Sequence, residues 1–355
     1  MSNNPSVQDF FDQLQTFSWR VFDLLEIQER ESPWRTEDWP PGKLPKGVVV
    51  HFTASPILSA LRWFMRRKNA AQASAHLVIA KDWPEGWAEL AADLPLVRAL
   101  STAVVQCVRY GERAWHATWT NPTHYGIELE NYGELRMIDG KWRWWASEKV
   151  GAPEWTAKWA GPETPVPLFG RFWAPYSAAQ VNTLISAIRR VREVLPSIRF
   201  TQVLGHMQVQ ENKNDPGPCF PLAHVRQHLL ETDGYRMLDG VGSLPVNELE
   251  ADRQRRAVIA WANRSLPLTR GQPYPAVLAS VRLAFRHDDA KFWSDSRLLE
   301  LAFDLLGYYV DPEASITLET VQTFQRMMGL VVDGVVGPDT RRGLLDRMVS
   351  MGVFK

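Results

Sequence analysis

The chain has 355 residues, and its 40 Lys and Arg are balanced by 40 Asp and Glu, giving a formal net charge of zero. A hydrophobic fraction of 45% and a charged fraction of 23% suit a soluble globular protein and exclude wholesale disorder, a collagen-like rod and a disulfide scaffold. The neutral balance argues against a phosphate-tracking nucleic-acid binder, which needs a basic excess. The length implies two or three domains of about 150 residues.

In chain order, Phe10, Phe11, Leu14, Phe17, Val21, Leu24 and Leu25 form a stripe that predicts a helix over 8–27. No basic start followed by an apolar core is visible, so the expectation is synthesis in the cytoplasm without a secretory signal. A Pro-rich arm runs to residue 44. Gly47–Phe52 reads as a buried strand carrying His51, residues 56–69 as an amphipathic helix, Ala75–Ala80 and Val104–Val108 as further strands. Tyr125–Glu130 alternates apolar and acidic residues, as a half-buried strand does. Residues 177–194 predict a helix with Ser177 as N-cap, and Phe200–His206 a strand that again ends on a histidine. Alternating strands and helices indicate an α/β domain over 45–235, a mixed central sheet flanked by helices.

Fourteen of the 16 tryptophans lie between Trp19 and Trp173. Six of them, Trp142, Trp144, Trp145, Trp155, Trp159 and Trp173, fall in a Pro- and Gly-rich insertion at 132–175, where they form a small core of their own or line a sugar-binding surface. Residues 236–275 read as a linker with a helix near 248–263. Residues 276–355 read as a small all-α domain: a helix closed by Gly307, another over Thr317–Met328 closed by Gly329, and a third starting at Pro338. Two cysteines, Cys107 and Cys219, are too few for a disulfide framework. No run of 18 apolar residues predicts a membrane span.

Two histidines at strand ends, His51 and His206, stand out together with Asp215, nine residues after the second. Catalytic zinc takes three such ligands and leaves a fourth position open. The residue types alone are equally compatible with two satisfied histidines and a turn aspartate.

The strings VVVHFTAS, SAHLVIAKD, RAWHATWT, YGIELEN and LGHMQVQENKNDPGPCF, in that order over 45–225, resemble the zinc-dependent N-acetylmuramoyl-L-alanine amidases. This type-2 amidase fold is shared with phage amidases and peptidoglycan recognition proteins. The resemblance implies Zn2+ held by His51, His206 and Asp215. It implies that Glu128 orients or deprotonates the attacking water and later protonates the leaving amine. Lys213 matches a cation that stabilises the developing oxyanion. His76, Trp115 and His116 match positions that line the substrate groove. Glu130 is expected to be supporting or exposed. His224 and His228, at i and i+4, read as a solvated helix face, and Cys219 as a small buried residue.

At the C-terminus, LLGYY, TVQTFQ and GLVVDGVVGPDT resemble a three-helix peptidoglycan-binding domain, although DPEASITLET replaces the usual first-half repeat. Together the two resemblances imply a monomer that binds peptidoglycan, both glycan strand and stem peptide, with no nucleic-acid or membrane partner. They imply hydrolysis of the amide between N-acetylmuramic acid and L-alanine, in the manner of a phage endolysin that meets the cell wall after release or delivery. The C-terminal domain is expected to act as a tether that raises local concentration and is dispensable on soluble fragments. Two alternatives share the fold: a non-catalytic peptidoglycan-recognition protein, which typically lacks a ligand, and a delivered antibacterial amidase effector.

Overall fold

The computed structural model describes residues 6–36, 39, 44–66, 72–138, 140–144, 165–168, 171–230, 246–265, 272–273, 275–277, 279–281, 296–308, 310 and 316–351. Its first half runs α1 (Val7–Leu24), β1 (Arg35–Thr36), β2 (Gly47–Phe52), α2 (Ile57–Phe64), β3 (Leu77–Ile79), α3 (Trp87–Leu90), α4 (Pro95–Arg98), β4 (Val104–Gln106), β5 (Arg113–Ala114) and β6 (His124–Leu129). The remainder runs β7 (Glu134–Ile138), β8 (Lys141–Trp144), β9 (Val166–Leu168), β10 (Arg171–Trp173), α5 (Ala178–Val194), β11 (Val203–Gly205), α6 (Leu222–Leu230), α7 (Val246–Ser265), α8 (Ser296–Leu305), α9 (Leu318–Met327) and α10 (Pro338–Ser350).

The central sheet has the order β11-β2-β6-β3-β4. Its first four strands are mutually parallel and β4 is antiparallel to β3. Every residue of β2 and β6 is buried, as a parallel sheet covered on both faces requires. The parallel register sets His51 beside Glu128 and Val50 beside Gly205. His206 follows Gly205 directly, so His206, His51 and Glu128 lie in a row at the carboxyl ends of three neighbouring strands. That end of an open α/β sheet is where binding sites form.

The helix expected at 8–27 is observed as α1, opened by a capping box between Ser6 and Asp9. It is no separate arm. Phe10, Phe11, Leu14 and Phe17 enter the same core as the sheet. Ser18 Oγ accepts from Gln106 N at 2.8 Å and donates to Leu14 O at 2.7 Å, so α1 also satisfies an N–H of the edge strand β4. The helix expected over 56–69 ends at Phe64. His206 belongs not to a strand but to a 3-10 turn that follows the short β11.

The insertion carries a second, antiparallel sheet of order β8-β7-β10-β9. Trp142 packs on Phe172 with ring centroids 4.3 Å apart, and Trp173 is 1% exposed. These two rings lie against the protein itself; Trp145, Trp155 and Trp159 lie outside the described residues.

The C-terminal helices share a separate core around Leu298, Ala302, Phe303, Phe324, Leu344 and Met348. Helix α7, expected within a linker, contributes Val258, Trp261 and Ala262 to that core, as an apolar helix face does. The string read as a binding motif is largely structural. Gln325, nearly fully buried, donates from Nε2 to Asp333 Oδ1, Val335 O and Thr340 Oγ1, and accepts from Gly334 N at 2.8 Å. Gly334, at φ +75°, turns the chain there. Gln325→Ala strands these groups and is expected to destabilise the C-terminal helices by about 1–3 kcal/mol. Thermal unfolding, together with faster hydrogen exchange at 333–336, measures it.

Candidate active site

His51 leaves the end of β2 and its ring is 2% exposed. Its Nε2 lies 3.0 Å from His116 Nδ1, and His116 Nε2 lies 3.0 Å from His124 O. A carbonyl only accepts, so neutral His116 carries its hydrogen on Nε2 and accepts on Nδ1. His51 must then donate from Nε2, which leaves its Nδ1 as a bare lone pair. His206 repeats the arrangement. Its Nε2 lies 3.0 Å from Gln210 Oε1, and the Gln210 amide nitrogen is engaged by Asn212 Oδ1 at 2.9 Å. The hydrogen therefore sits on His206 Nε2, and its Nδ1 is also bare.

Both bare nitrogens converge on Asp215 Oδ2. The three pairwise separations, His51 to His206, His51 to Asp215 and His206 to Asp215, are each 3.0 Å. Three buried acceptors with no hydrogen among them repel one another unless a cation lies between them. Three corners of a tetrahedron around zinc, with ligand bonds of about 2.0 Å, lie about 3.3 Å apart, and two imidazole nitrogens with one carboxylate oxygen are a zinc donor set. The residues present thus fit a zinc ion. Among the described residues, this is the one group of three or more His, Cys, Asp or Glu side chains arranged to hold a metal.

The electrostatics follow from burial. Loss of water, followed by the neighbouring His206, pushes the His51 imidazole down to about 4 and keeps it neutral. Burial would raise the Asp215 carboxyl, but positive charge at the adjoining His206 and His51, brought by a proton or by a bound cation, outweighs it and holds the carboxyl ionised. Glu128 goes the other way. It is buried, and desolvation followed by repulsion from Asp215 drives it well above the carboxylate range, against a smaller opposing pull from Lys213. Its Oε2 has no hydrogen-bond partner. A carboxyl whose pKa is raised above the usual carboxylate range and that has an unused oxygen suits proton exchange with substrate. Glu130, two residues on, accepts Ile57 N and Lys81 N at 2.9 Å each, and so ties α2 and the end of β3 to β6.

Lys213, Glu211, Asn214, Arg171, Trp173 and Arg347 are among the residues lining a cavity of about 620 Å3 beside the loop that carries Asp215. Trp115 is 44% exposed, with its indole Nε1 3.3 Å from Thr36 Oγ1. His116 is partly exposed, and its Nδ1 accepts from His51 Nε2. The expectation for His76 is corrected. It is wholly buried, stacked on Tyr125 at 3.8 Å and Trp39 at 5.7 Å, and does not line a groove. It accepts from Gly126 N at 2.9 Å and donates to Glu112 O at 3.0 Å, which braces β6 against the segment before Trp115. His224 and His228 face each other on α6 with ring centroids 4.0 Å apart and belong to no metal-holding group among the described residues. Cys219 is buried, as expected. The sequence reading did not single out Gln210, or Asn121, whose Oδ1 accepts the amides of His116 and Ala117. No periodicity marks either; only the strand glycine Gly126, against which the His116 ring packs, hints at a close approach.

A family model described as N-acetylmuramoyl-L-alanine amidase matches residues 41–218. The chain belongs to the N-acetylmuramoyl-L-alanine amidase family. A second model, for a peptidoglycan binding domain, matches residues 295–344. The amidase is thus a peptidoglycan hydrolase whose place of action is the cell wall. Similar solved structures include the N-acetylmuramyl-L-alanine amidase AmiD from E. coli in complex with the substrate anhydro-N-acetylmuramic acid-L-Ala-D-gamma-Glu-L-Lys (20% identity, 88% of this chain, 91% of that chain, TM-score 0.36). AmpDh3 from Pseudomonas aeruginosa is another (19% identity, 88% of this chain, 93% of that chain, TM-score 0.36). No curated protein matches the chain. No helix among the described residues is long and apolar enough to cross a membrane.

Two outcomes follow from this geometry. A methyl group on Gly126 would lie 2.5–2.8 Å from the His116 ring, so Gly126→Ala displaces the group that orients His51. Zinc affinity, measured by chelator competition, is expected to fall about 10–100-fold. The second concerns acid. Burial holds His76 down to about 3, against 6.5 in the unfolded chain. The unfolded state therefore takes up the proton first. The contribution of neutral His76 to stability is complete above pH 6.5 and is lost as pH falls from 6.5 towards 3. Denaturant titrations of metal-free protein across that window measure the loss, and it shrinks in His76→Gln.

Proposed function

We propose that the amidase cleaves the amide bond between the lactyl group of N-acetylmuramic acid and the L-alanine of the stem peptide, using zinc held by His51, His206 and Asp215. The observation that carries this reading is the convergence of two bare Nδ1 atoms and one carboxylate oxygen at 3.0 Å, with Glu128 in register beside His51. When bound, zinc supplies Lewis-acid polarisation of the amide carbonyl and lowers the pKa of water.

The protein's own residues supply the rest. The Glu128 carboxylate accepts a proton from the attacking water as its oxygen bonds to the carbonyl carbon. It then delivers that proton to the alanine nitrogen as the carbon–nitrogen bond breaks, so the carboxyl ends as it began. The Lys213 ammonium stabilises the negative charge that develops on the amide oxygen. Trp115 offers an exposed aromatic face for a sugar ring, and the cavity beside Lys213 offers room for the stem peptide. The C-terminal helices bind peptidoglycan and keep the enzyme at its insoluble substrate.

Glu128→Gln preserves size while removing the proton acceptor. It is expected to lower kcat on purified peptidoglycan about 10²–10⁴-fold with an unchanged circular dichroism spectrum. Chelation is expected to abolish turnover, and added zinc to restore it. Mass spectrometry of digested peptidoglycan reads the bond directly. New L-alanine amino termini support the assignment, whereas new reducing sugar ends would overturn it.

A further inference from the structure

The loop that joins the two metal-ligand candidates of the C-terminal half of the site, His206 to Asp215, is held from outside the catalytic domain. Arg347, on α10, is 5% exposed. Its Nη2 donates to Met207 O at 2.6 Å and to Lys213 O at 2.8 Å, and its Nη1 donates to Glu211 O. Three carbonyls of a single loop thus point at one guanidinium. The same loop is gripped at Gln208, which is buried. Tyr308 Oη donates to Gln208 O at 2.8 Å, and Gln208 Nε2 donates to Leu306 O at 3.1 Å. The Met207 side chain lies inside the core of the C-terminal helices. Gln208 Oε1 in turn accepts Gly205 N at 2.7 Å, which carries the grip back to the end of β11.

We propose that Arg347 is a positioning residue of the amidase: it fixes the backbone of the 207–213 loop and thereby sets Lys213 and Asp215 relative to His51 and His206. The C-terminal helices are then part of the catalytic framework as well as a peptidoglycan-binding unit, and are not dispensable on soluble fragments. The physical reason is that the loop's other hydrogen bonds, Met207 N to Asp215 O, Val209 N and Gln210 N to His206 O, Lys213 N to Gln210 O and Trp119 Nε1 to Val209 O, use other carbonyls and leave those of Met207, Glu211 and Lys213 to the guanidinium. Without the guanidinium, one buried and two partly buried carbonyls converge with no donor, and the loop must open to water to satisfy them. The proposal rests on the metal-site reading above, and its test separates the two.

The test uses the full-length chain and its Arg347→Gln variant. Three readouts are expected to move together. Zinc affinity by chelator competition falls about tenfold or more, kcat on a soluble muropeptide falls by a similar factor with little change in KM, and amides 209–214 of the metal-free protein exchange faster. Sedimentation with sacculi stays as in the unaltered chain, and Arg347→Lys recovers part of the loss. Glu319→Ala removes only the exposed ion pair with Arg199 between the same two parts of the molecule and is expected to leave all readouts unchanged. Should Arg347→Gln fail to fold, Tyr308→Phe removes one hydroxyl from the same grip and is expected to shift the three readouts in the same direction by a few-fold. Unaltered zinc affinity and loop exchange in a folded Arg347→Gln or Tyr308→Phe variant would overturn the proposal, as would an equal loss in Glu319→Ala. The zinc and exchange arms do not depend on which bond the enzyme cuts, so failure of the amidase reading would show only in the product analysis.

Discussion

The arrangement depends on one electrostatic constraint: three acceptor atoms meet at 3.0 Å in a place with little water. Such a cluster is costly unless a cation is present, so everything around it has to hold it together when the cation is absent. Two devices do this. Hydrogen bonds donated from the far side of each imidazole, to His116 and Gln210, fix which nitrogen is bare. The parallel register of β11, β2 and β6 fixes where the rings stand. Neither suffices alone, because a well-placed ring with the wrong tautomer would present a hydrogen to the metal.

The same burial that makes the cluster costly gives Glu128 its character. A carboxyl in water would be ionised and idle; at the end of β6, dehydrated and facing Asp215, it retains its proton well above the usual range. Lys213 pulls in the opposite direction, and its backbone belongs to the loop that Arg347 holds. The groups proposed for proton transfer and for charge stabilisation, Glu128 and Lys213, are thus held by different parts of the chain. The first is set by the sheet, the second by the packing of the C-terminal helices against the loop.

Histidines show how one residue type takes distinct roles on one fold. His51 and His206 turn lone pairs inward, His116 accepts from His51 and donates to His124 O, and His76 serves as a buried brace stacked between Tyr125 and Trp39. All four sit in strings that resemble the amidase pattern, and a pattern cannot tell a brace from a groove residue. The distinction comes from burial, which depends on the rings that pack from residues 39 and 125, far away in sequence.

Much of this was legible in the sequence. An apolar run located β2, an apolar–acidic alternation located β6 although the strand is buried throughout rather than half-buried, the stripe in 8–27 located α1, and Ser177, Gly307 and Gly329 marked helix ends through capping chemistry that acts within a few residues. The strings around His51, Glu128, His206 and Asp215 pointed to a shared site through their resemblance to the amidase pattern; their residue types alone left it open. What the sequence left open was set by contacts between distant segments. Nothing local says that α1 closes the edge of β4, that α7 joins the C-terminal core, or that Gln210 selects the tautomer of His206. Nor does a single arginine in a polar helix announce that it receives three carbonyls of a loop more than 130 residues earlier. Local chemistry determined which groups the protein carries; only tertiary packing, by choosing what is dehydrated and what faces what, decided what each of them does.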